Sequence, residues 1–292
     1  MSSTVPDLSV VIPTFNTARM TLRCCRAVLE TMPAGTEVIV VDDASSDDTA
    51  TLLADFARVI RLDTNRGFAG AANAGVRAAG GRVVLVLNSD AIVQSGALDA
   101  LLRAFADDPR LGVAGGRLLD DDGSPQWSGG RTPTLPWMIG VVSGAGHLAG
   151  LLRRGAGNAP RQVEWVSGAA IAFRQEVWKT AGPFDERFRF YCQDIELCLR
   201  ARDASWDVRV VDNAPIVHTL GATIATGSPL RHDPERLWPD LLDWGAAHYG
   251  RGWARVARVV LTGVAWLRII GAKLRGSDTD AFVRAVRALR RT

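Results

Sequence analysis

Short apolar runs alternate with stretches of helical spacing through the first half of the chain. Residues 8–13, 37–41, 59–62, 83–87 and 111–114 are apolar runs of strand length, and 83–87 is the most apolar. Between them, residues 18–31, 46–56, 68–79 and 96–106 carry helical periodicity. Ser46 or Asp47 is placed to cap the second of these helices, and Gly80-Gly81 closes the third. This rhythm predicts a mainly parallel sheet with helices on both faces. Residues 120–160 are rich in Gly, Pro, Asp and Trp and read as a long loop or inserted segment. Regular patterns return as a strand over 163–173, helices over 174–180 and 194–203, and a strand over 208–211. Pro229, Pro234 and Pro239 then mark a boundary, and helical patterns run to the end. The expected organisation is an α/β domain over residues 1–225 and a helical extension over 226–292.

The extension changes the picture of charge. The chain's formal net charge is only +3, but residues 251–292 hold ten Arg or Lys against Asp278 and Asp280, a local +8 that leaves −5 for residues 1–250. Trp253, Val256, Val260, Val264, Leu267, Ile270 and Leu274 follow helical spacing and define one apolar face, with Arg251, Arg255, Arg258 and Lys273 roughly opposite. Such a helix either packs on the body or lies in a membrane interface, and the basic excess suits an anionic surface. No nucleic-acid recognition module is evident, so nucleic acid is not an expected partner.

The balance of 47% hydrophobic and 22% charged residues over 292 positions is that of a globular protein. It excludes a disordered chain, a collagen-like repeat and a disulfide-stapled mini-protein. Four cysteines, Cys24, Cys25, Cys192 and Cys198, form no CxxC motif and suit a reducing compartment. The stretch from Met1 to Asp7 has no basic-then-apolar leader, and no apolar run approaches the roughly 18 residues of a spanning helix. The expected location is cytoplasmic, at the inner face of the cell membrane if the tail binds there.

Two acidic clusters follow directly on apolar strands: Asp42-Asp43 after 37–41, and Asn88-Ser89-Asp90 after 83–87. In open parallel sheets ligands bind beyond the carboxyl ends of the strands, so both clusters are expected at one rim. Neighbouring carboxylates there make a hard-oxygen site suited to Mg²⁺ or Mn²⁺ carrying a diphosphate. Between them runs a glycine-rich segment from Asn65 to Gly75, whose glycines let backbone N–H groups approach an anion or a base. A second glycine-rich stretch, Gly144-Ala145-Gly146, lacks the strand–turn–helix context of a dinucleotide site.

With these motifs in order the chain resembles the glycosyltransferases of family 2 with the GT-A fold, and within them the rhamnosyltransferase-like branch that builds bacterial cell-surface glycans. The resemblance is carried by 10-Val-Val-Ile-Pro-Thr-Phe-Asn-16, 41-Val-Asp-Asp-Ala-Ser-45, the pattern N-x-G-F-A-x-x-x-N-x-G from Asn65 to Gly75, 87-Leu-Asn-Ser-Asp-90, 167-Ser-Gly-Ala-169, and 184-Phe-Asp-Glu-Arg-Phe-188 running on to Asp194. It spans about residues 8–220.

The resemblance implies a mixed Rossmann-like sheet with a C-terminal helical extension, and inverting transfer of rhamnose or a similar sugar from a dTDP- or UDP-sugar. The acceptor would be a glycan, lipid-linked acceptors included. It implies that Pro13, Thr14, Phe15, Asn16, Asp42, Asp43, Asn65, Gly67, Phe68, Asn73, Asn88 and Ser89 serve the nucleotide-sugar. It further implies that Asp90 and His218 hold the divalent metal, Asp194 is the catalytic base, and Trp165, Gly168 and Ala169 border the acceptor. Two positions depart from the family pattern: Gln193 stands where Glu is usual, and Glu196 where Asp is usual. Gln193, together with Asn88 where the first acid of the metal motif would stand, keeps a second reading open, a nucleotide-sugar binder with weak catalysis. A soluble natural-product acceptor is the other alternative. A nucleotidyltransferase would need a basic glycine-rich loop after the first strand, where Thr14-Phe15-Asn16-Thr17 stands instead.

Overall fold

The computed structural model describes residues 5–137, 161–188, 190–219, 234–276 and 279–289. The Gly144–Gly146 stretch, Pro229 and the expected boundary at 225 lie outside them. The described residues form two compact units, one from 5–131, 161–188 and 193–219, the other from 132–137, 190–192, 234–276 and 279–289.

The first unit is a nine-stranded sheet with helices. Its strands are β1 (Leu8–Thr14), β2 (Thr36–Asp42), β3 (Arg58–Arg61), β4 (Val83–Leu87), β5 (Ala91–Val93), β6 (Leu111–Leu119), β8 (Arg161–Gln162), β10 (Ala170–Arg174) and β11 (Asp207–His218). Two short strands, β7 (Gly129–Gly130) and β9 (Trp165–Val166), pair separately. The helices are α1 (Ala18–Thr31), α2 (Thr49–Leu53), α3 (Gly67–Ala78), α4 (Ala97–Asp107), α5 (Gln175–Ala181) and α6 (Gln193–Asp203). Strand order is β3-β2-β1-β4-β10-β6-β11-β5, with β8 beside β11. The apolar runs behave as their composition requires: all residues of β1 and β4 are buried, because the centre of the sheet is covered on both faces.

The sheet is mixed, where the rhythm of the first half predicts a mainly parallel one. β1, β2, β3 and β4 are parallel, and β11 is parallel to β6, but β10 runs antiparallel to both β4 and β6, and β5 antiparallel to β11. This polarity places the site. β10 starts where β4 ends, Ala170 opposite Leu87, so the turn before β10 shares the rim with the ends of β1, β2 and β4. The far end of β11 reaches the same rim, with His218 opposite Ala91. The strand expected over 208–211 therefore runs on to His218, through a break in register between Val211 and Pro215. The strand expected over 163–173 is divided into β9 and β10 by the Ser167-Gly168-Ala169 turn.

α3 lies almost flush on the sheet. A Cβ at Gly75 would stand 2.3 Å from Val11 Cγ1 and 2.9 Å from Val41 Cγ2, so only glycine lets the helix come this close. Cys24 and Cys25 of α1 are buried on the opposite face of the sheet, and Cys198 of α6 and Cys192 of the second unit are buried as well. Burial pushes the Cys25 thiol up to about 12, and those of Cys24 and Cys198 up as well.

The second unit contains α7 (Pro234–Leu274), interrupted at Gly250 where φ is 86°, and α8 (Asp280–Leu289). Trp253 folds over Gly245, where a Cβ would meet the indole at 1.8 Å. The expected apolar face of the tail needs correction. The buried line of residues 251–274 is Ala254, Ala257, Leu261, Ala265, Ile269 and Ala272, while Val256, Leu267, Ile270 and Leu274 are exposed. Alanines lie on the packed side because they allow close approach, and α8 presents buried Phe282, Ala285, Val286 and Leu289.

Gly75→Ala is expected to lower the unfolding free energy by about 1–3 kcal/mol. The check is the urea midpoint at constant slope, and an unchanged midpoint would show that the contact of α3 with β1 and β2 has slack.

Candidate active site

At the ends of β1 and β2 the backbone is held by short polar side chains. Asp42 is fully buried; its Oδ1 accepts the Ser45 N–H at 2.9 Å and its Oδ2 meets Arg61 at 3.0 Å. Asp43 accepts two backbone N–H groups, Arg66 on Oδ1 (2.7 Å) and Gly67 on Oδ2 (2.9 Å). It thus caps α3, whose own N-cap residue Arg66 supplies no side-chain cap. Burial pushes the Asp43 carboxyl above its ordinary value, against the lowering effect of those two N–H groups. Asn65 donates to the Asp43 carbonyl at 3.3 Å. Asn16 and Ala44 both take positive φ (52° and 62°), a conformation uncommon outside glycine and concentrated at functional loops. The Asn16 side chain accepts the Ser46 N–H at 2.8 Å, and Thr14 bonds to Thr17 and Thr21. Pro13 and Thr14 are buried, whereas Phe15 stands 45% exposed at the rim.

Beyond β4, Asn88 and Asp90 face His218 at the end of β11. His218 Nε2 lies 3.3 Å from Asp90 Oδ1 and 3.3 Å from Asn88 Nδ2, and Ser89 Oγ lies 3.4 Å from Thr17 Oγ1. A carboxylate oxygen and an imidazole nitrogen at that separation match two adjacent ligands of one small divalent cation, which stand about 3 Å apart when each bond is about 2.1 Å and the angle is right. No group of three or more His, Cys, Asp or Glu able to hold a metal is present among the described residues. The fit is therefore to a cation whose remaining positions are filled by ligand oxygens and water.

Gln126, which no sequence motif marks, fixes that histidine. Its Nε2 donates to the His218 carbonyl and, at 2.8 Å, to Asp120 Oδ1, so its Oε1 is the atom 3.1 Å from His218 Nδ1. Nδ1 must then carry the proton, which leaves the Nε2 lone pair facing Asp90 and Asn88. Gln126 sits in the Gly- and Asp-rich segment and follows no periodicity; only its pairing with β11 reveals it.

Asp194 is partly buried at the start of α6. Its Oδ2 accepts the Gly168 N–H at 2.7 Å and its Oδ1 the Ile195 N–H at 2.8 Å. Burial pushes its carboxyl above the ordinary value, outweighing these bonds. The same turn meets the other half of the rim, because the Asn88 N–H donates to the Ala169 carbonyl at 2.9 Å. A Cβ on Gly168 would lie 3.4 Å from Asp194 Oδ2. Trp165 is buried, its indole N–H given to the Arg131 carbonyl at 2.8 Å and its ring edge-on to the 44%-exposed Trp127.

Asn73 and Phe68 of α3 make contacts away from these groups. Asn73 is 1% exposed, and its amide exchanges bonds with the Phe184 backbone and donates to Glu186 at 3.0 Å. Glu186 in turn holds Arg66 through both oxygens, and Phe68 packs edge-on to Phe184. These residues tie α3 to the 184–186 segment. A surface groove of about 460 Å³ along that segment, lined by Arg77, Arg187 and Arg200 among others, includes none of Asp43, Asp90, His218 and Asp194.

Among solved structures the fold is that of the GT-A glycosyltransferases. The mannosyltransferase PcManGT from Pyrobaculum calidifontis, solved with GDP-Man and Mn²⁺, aligns with a TM-score of 0.55 at 18% identity, over 98% of this chain and 86% of that one. The chain belongs to glycosyl transferase family 2, whose profile matches residues 9–177. It is 40% identical over 114 residues to the succinoglycan biosynthesis protein ExoO of Rhizobium meliloti, covering 37% of this chain and 33% of that protein. It is 29% identical over 147 residues to an N-acetylglucosaminyl-diphospho-decaprenol L-rhamnosyltransferase of Mycobacterium tuberculosis, covering 46% of each. The chain thus matches less than half the length of either relative.

Gln126→Leu is expected to release the His218 tautomer. Nitrogen-15 NMR of the imidazole should show the Nδ1–H form dominant in the native protein and a mixture in the variant; the same tautomer in both would remove Gln126 from this role.

Proposed function

We propose that this chain is an inverting, metal-dependent glycosyltransferase that moves a sugar, rhamnose or one like it, from a dTDP- or UDP-sugar to a carbohydrate acceptor. Residues 1–225 are the catalytic domain and 226–292 a helical extension. The observation that carries the reading is the Ser167-Gly168-Ala169 turn. Its Ala169 carbonyl accepts from Asn88, beside the Asp90–His218 pair, and its Gly168 N–H donates to Asp194. One short turn therefore joins a cation-binding pair to a carboxylate of raised proton affinity, the two things a displacement at an anomeric carbon requires.

On this reading the nucleotide lies over the ends of β1 and β2, between Pro13-Thr14-Phe15-Asn16 and Asp42-Asp43. Each Asp43 oxygen accepts one backbone N–H and keeps a second lone pair, which suits it to the imide N–H of uracil or thymine. Asn65, Gly67 and Phe68 border the same nucleotide, Asn73 holds α3 in place, and Asn88 and Ser89 lie along the diphosphate. Asp90 and His218 hold Mg²⁺ or Mn²⁺, which when bound offsets the charge of the departing diphosphate. Mn²⁺ in the mannosyltransferase structure supports this choice.

Asp194 takes the proton of the acceptor hydroxyl as its oxygen bonds to the anomeric carbon. The bond from that carbon to the diphosphate breaks, its electron pair leaves with the nucleoside diphosphate, and the configuration inverts. Gly168, Ala169 and Trp165 border the acceptor. Rhamnose as the sugar and a lipid-linked acceptor are supported by the mycobacterial relative's name; such an acceptor would have the protein act at the inner face of the cell membrane.

The test is nucleoside diphosphate release from a panel of UDP- and dTDP-sugars with Mn²⁺ or Mg²⁺ and candidate acceptors. Transfer should disappear on chelation and fall about 10²–10⁴-fold in Asp194→Asn. Asp194 acts as the carboxylate, so kcat/KM should fall as pH drops through its raised pKa. That acid limb should lie above the ordinary aspartate range and be absent from the residual activity of the variant. Undiminished transfer in Asp194→Asn would remove it as base, and donor binding without turnover under any condition would favour the weakly catalytic binder.

A further inference from the structure

The segment 251–274 of α7 carries two apolar lines, and α8 accounts for only one. Val256 (54% exposed), Val259 (73%), Trp266 (46%), Leu267 (71%), Ile270 (53%) and Leu274 (84%) point outward. At about 100° per residue they fall within roughly 100° of arc, on the side opposite the buried Ala254, Ala257, Leu261, Ala265, Ile269 and Ala272. Only Gly263 intervenes on that face, and it is exposed. The line is about 27 Å long at a rise of about 1.5 Å per residue. So many large apolar side chains in one stripe exceed the scattered exposure normal for a protein surface.

We infer that this outer face docks on a lipid surface with anionic headgroups. Charge selects the occupant. No Asp or Glu occurs between Arg251 and Gly276, and Arg251, Arg255 and Lys273 are exposed along one shoulder of the stripe. An apolar stripe with one basic shoulder and a tryptophan at its edge is suited to lie in the plane of the headgroups, its apolar side chains among the acyl chains. A second copy of the chain fits less well, since an antiparallel pairing of stripe on stripe would bring the two basic shoulders together. A nucleic acid would use the arginines and leave the apolar stripe in water. No helix among the described residues is long and apolar enough to cross a membrane, so the contact is with the surface. The inference rests on the helix alone and is independent of the transferase reading.

The experiment is co-sedimentation of the full chain with vesicles of phosphatidylcholine, or of phosphatidylcholine with about 30% phosphatidylglycerol. The native protein should bind the anionic vesicles at least about tenfold better than the neutral ones. Leu267→Gln/Ile270→Gln should lose at least about tenfold in that binding, and Arg255→Gln/Lys273→Gln should lose the preference for anionic lipid. Far-UV dichroism and thermal unfolding identify variants that fold, and nucleotide-sugar binding, unchanged in them, separates this outcome from any failure of the transferase reading. Absence of native binding to either vesicle, or undiminished binding by the folded Leu267/Ile270 variant, overturns the inference. So does a native dimer, seen by light scattering, that this variant converts to a monomer.

Discussion

The site hangs on one buried carboxylate. Asp43 follows directly on β2 and accepts the first two N–H groups of the α3 entry, so the polar end of the strand and the polar start of the helix satisfy one another. Without that bridge both groups would be buried and unmatched, and the helix would have no reason to begin at Gly67. Once its start is fixed, Gly75 can lie flush on Val11 and Val41, and Asn73 can reach the backbone of Phe184. The cost is visible in the acid itself, whose proton affinity is raised by burial even as two N–H groups oppose the rise.

The second constraint is strand polarity. A sheet with every strand parallel would bring only strand ends to this rim. Because β10 runs the other way, a strand beginning arrives there too, and with it the turn that touches Asp194. Because β11 is long and parallel to β6, its last residue, His218, reaches Asp90. The mixed sheet is thus what lets residues from 14 to 218 share one edge. Positive φ at Asn16, Ala44 and Cys192 accompanies the tight turns on which the acidic groups sit.

Continuous apolar runs made much of the sheet legible from sequence. The strand Val83–Leu87 and the helix Ala18–Thr31 coincide with the expected spans, since five buried apolar residues in a row and a clean helical stripe leave little choice. Legibility failed where tertiary pairing overrides local pattern. Asp212 and Asn213 look like the end of a strand, yet β11 passes through them and continues to His218. Ser167-Gly168 inside an apolar run conceals a turn, and Ala91–Val93 is too short to stand out before it pairs with β11. The acids at strand ends could be named from spacing alone. Gln126 could not, because its partner is 92 positions away and nothing local marks it. In the tail, the small alanines that α8 covers were less conspicuous than the large side chains that remain in water.

The thiols of Cys24, Cys25 and Cys198 have a practical consequence. With their protons held by burial, the fraction present as reactive thiolate at neutral pH is negligible. A thiol reagent therefore meets them only when α1 or α6 lifts from the sheet. The rate of their modification is a clock for that opening.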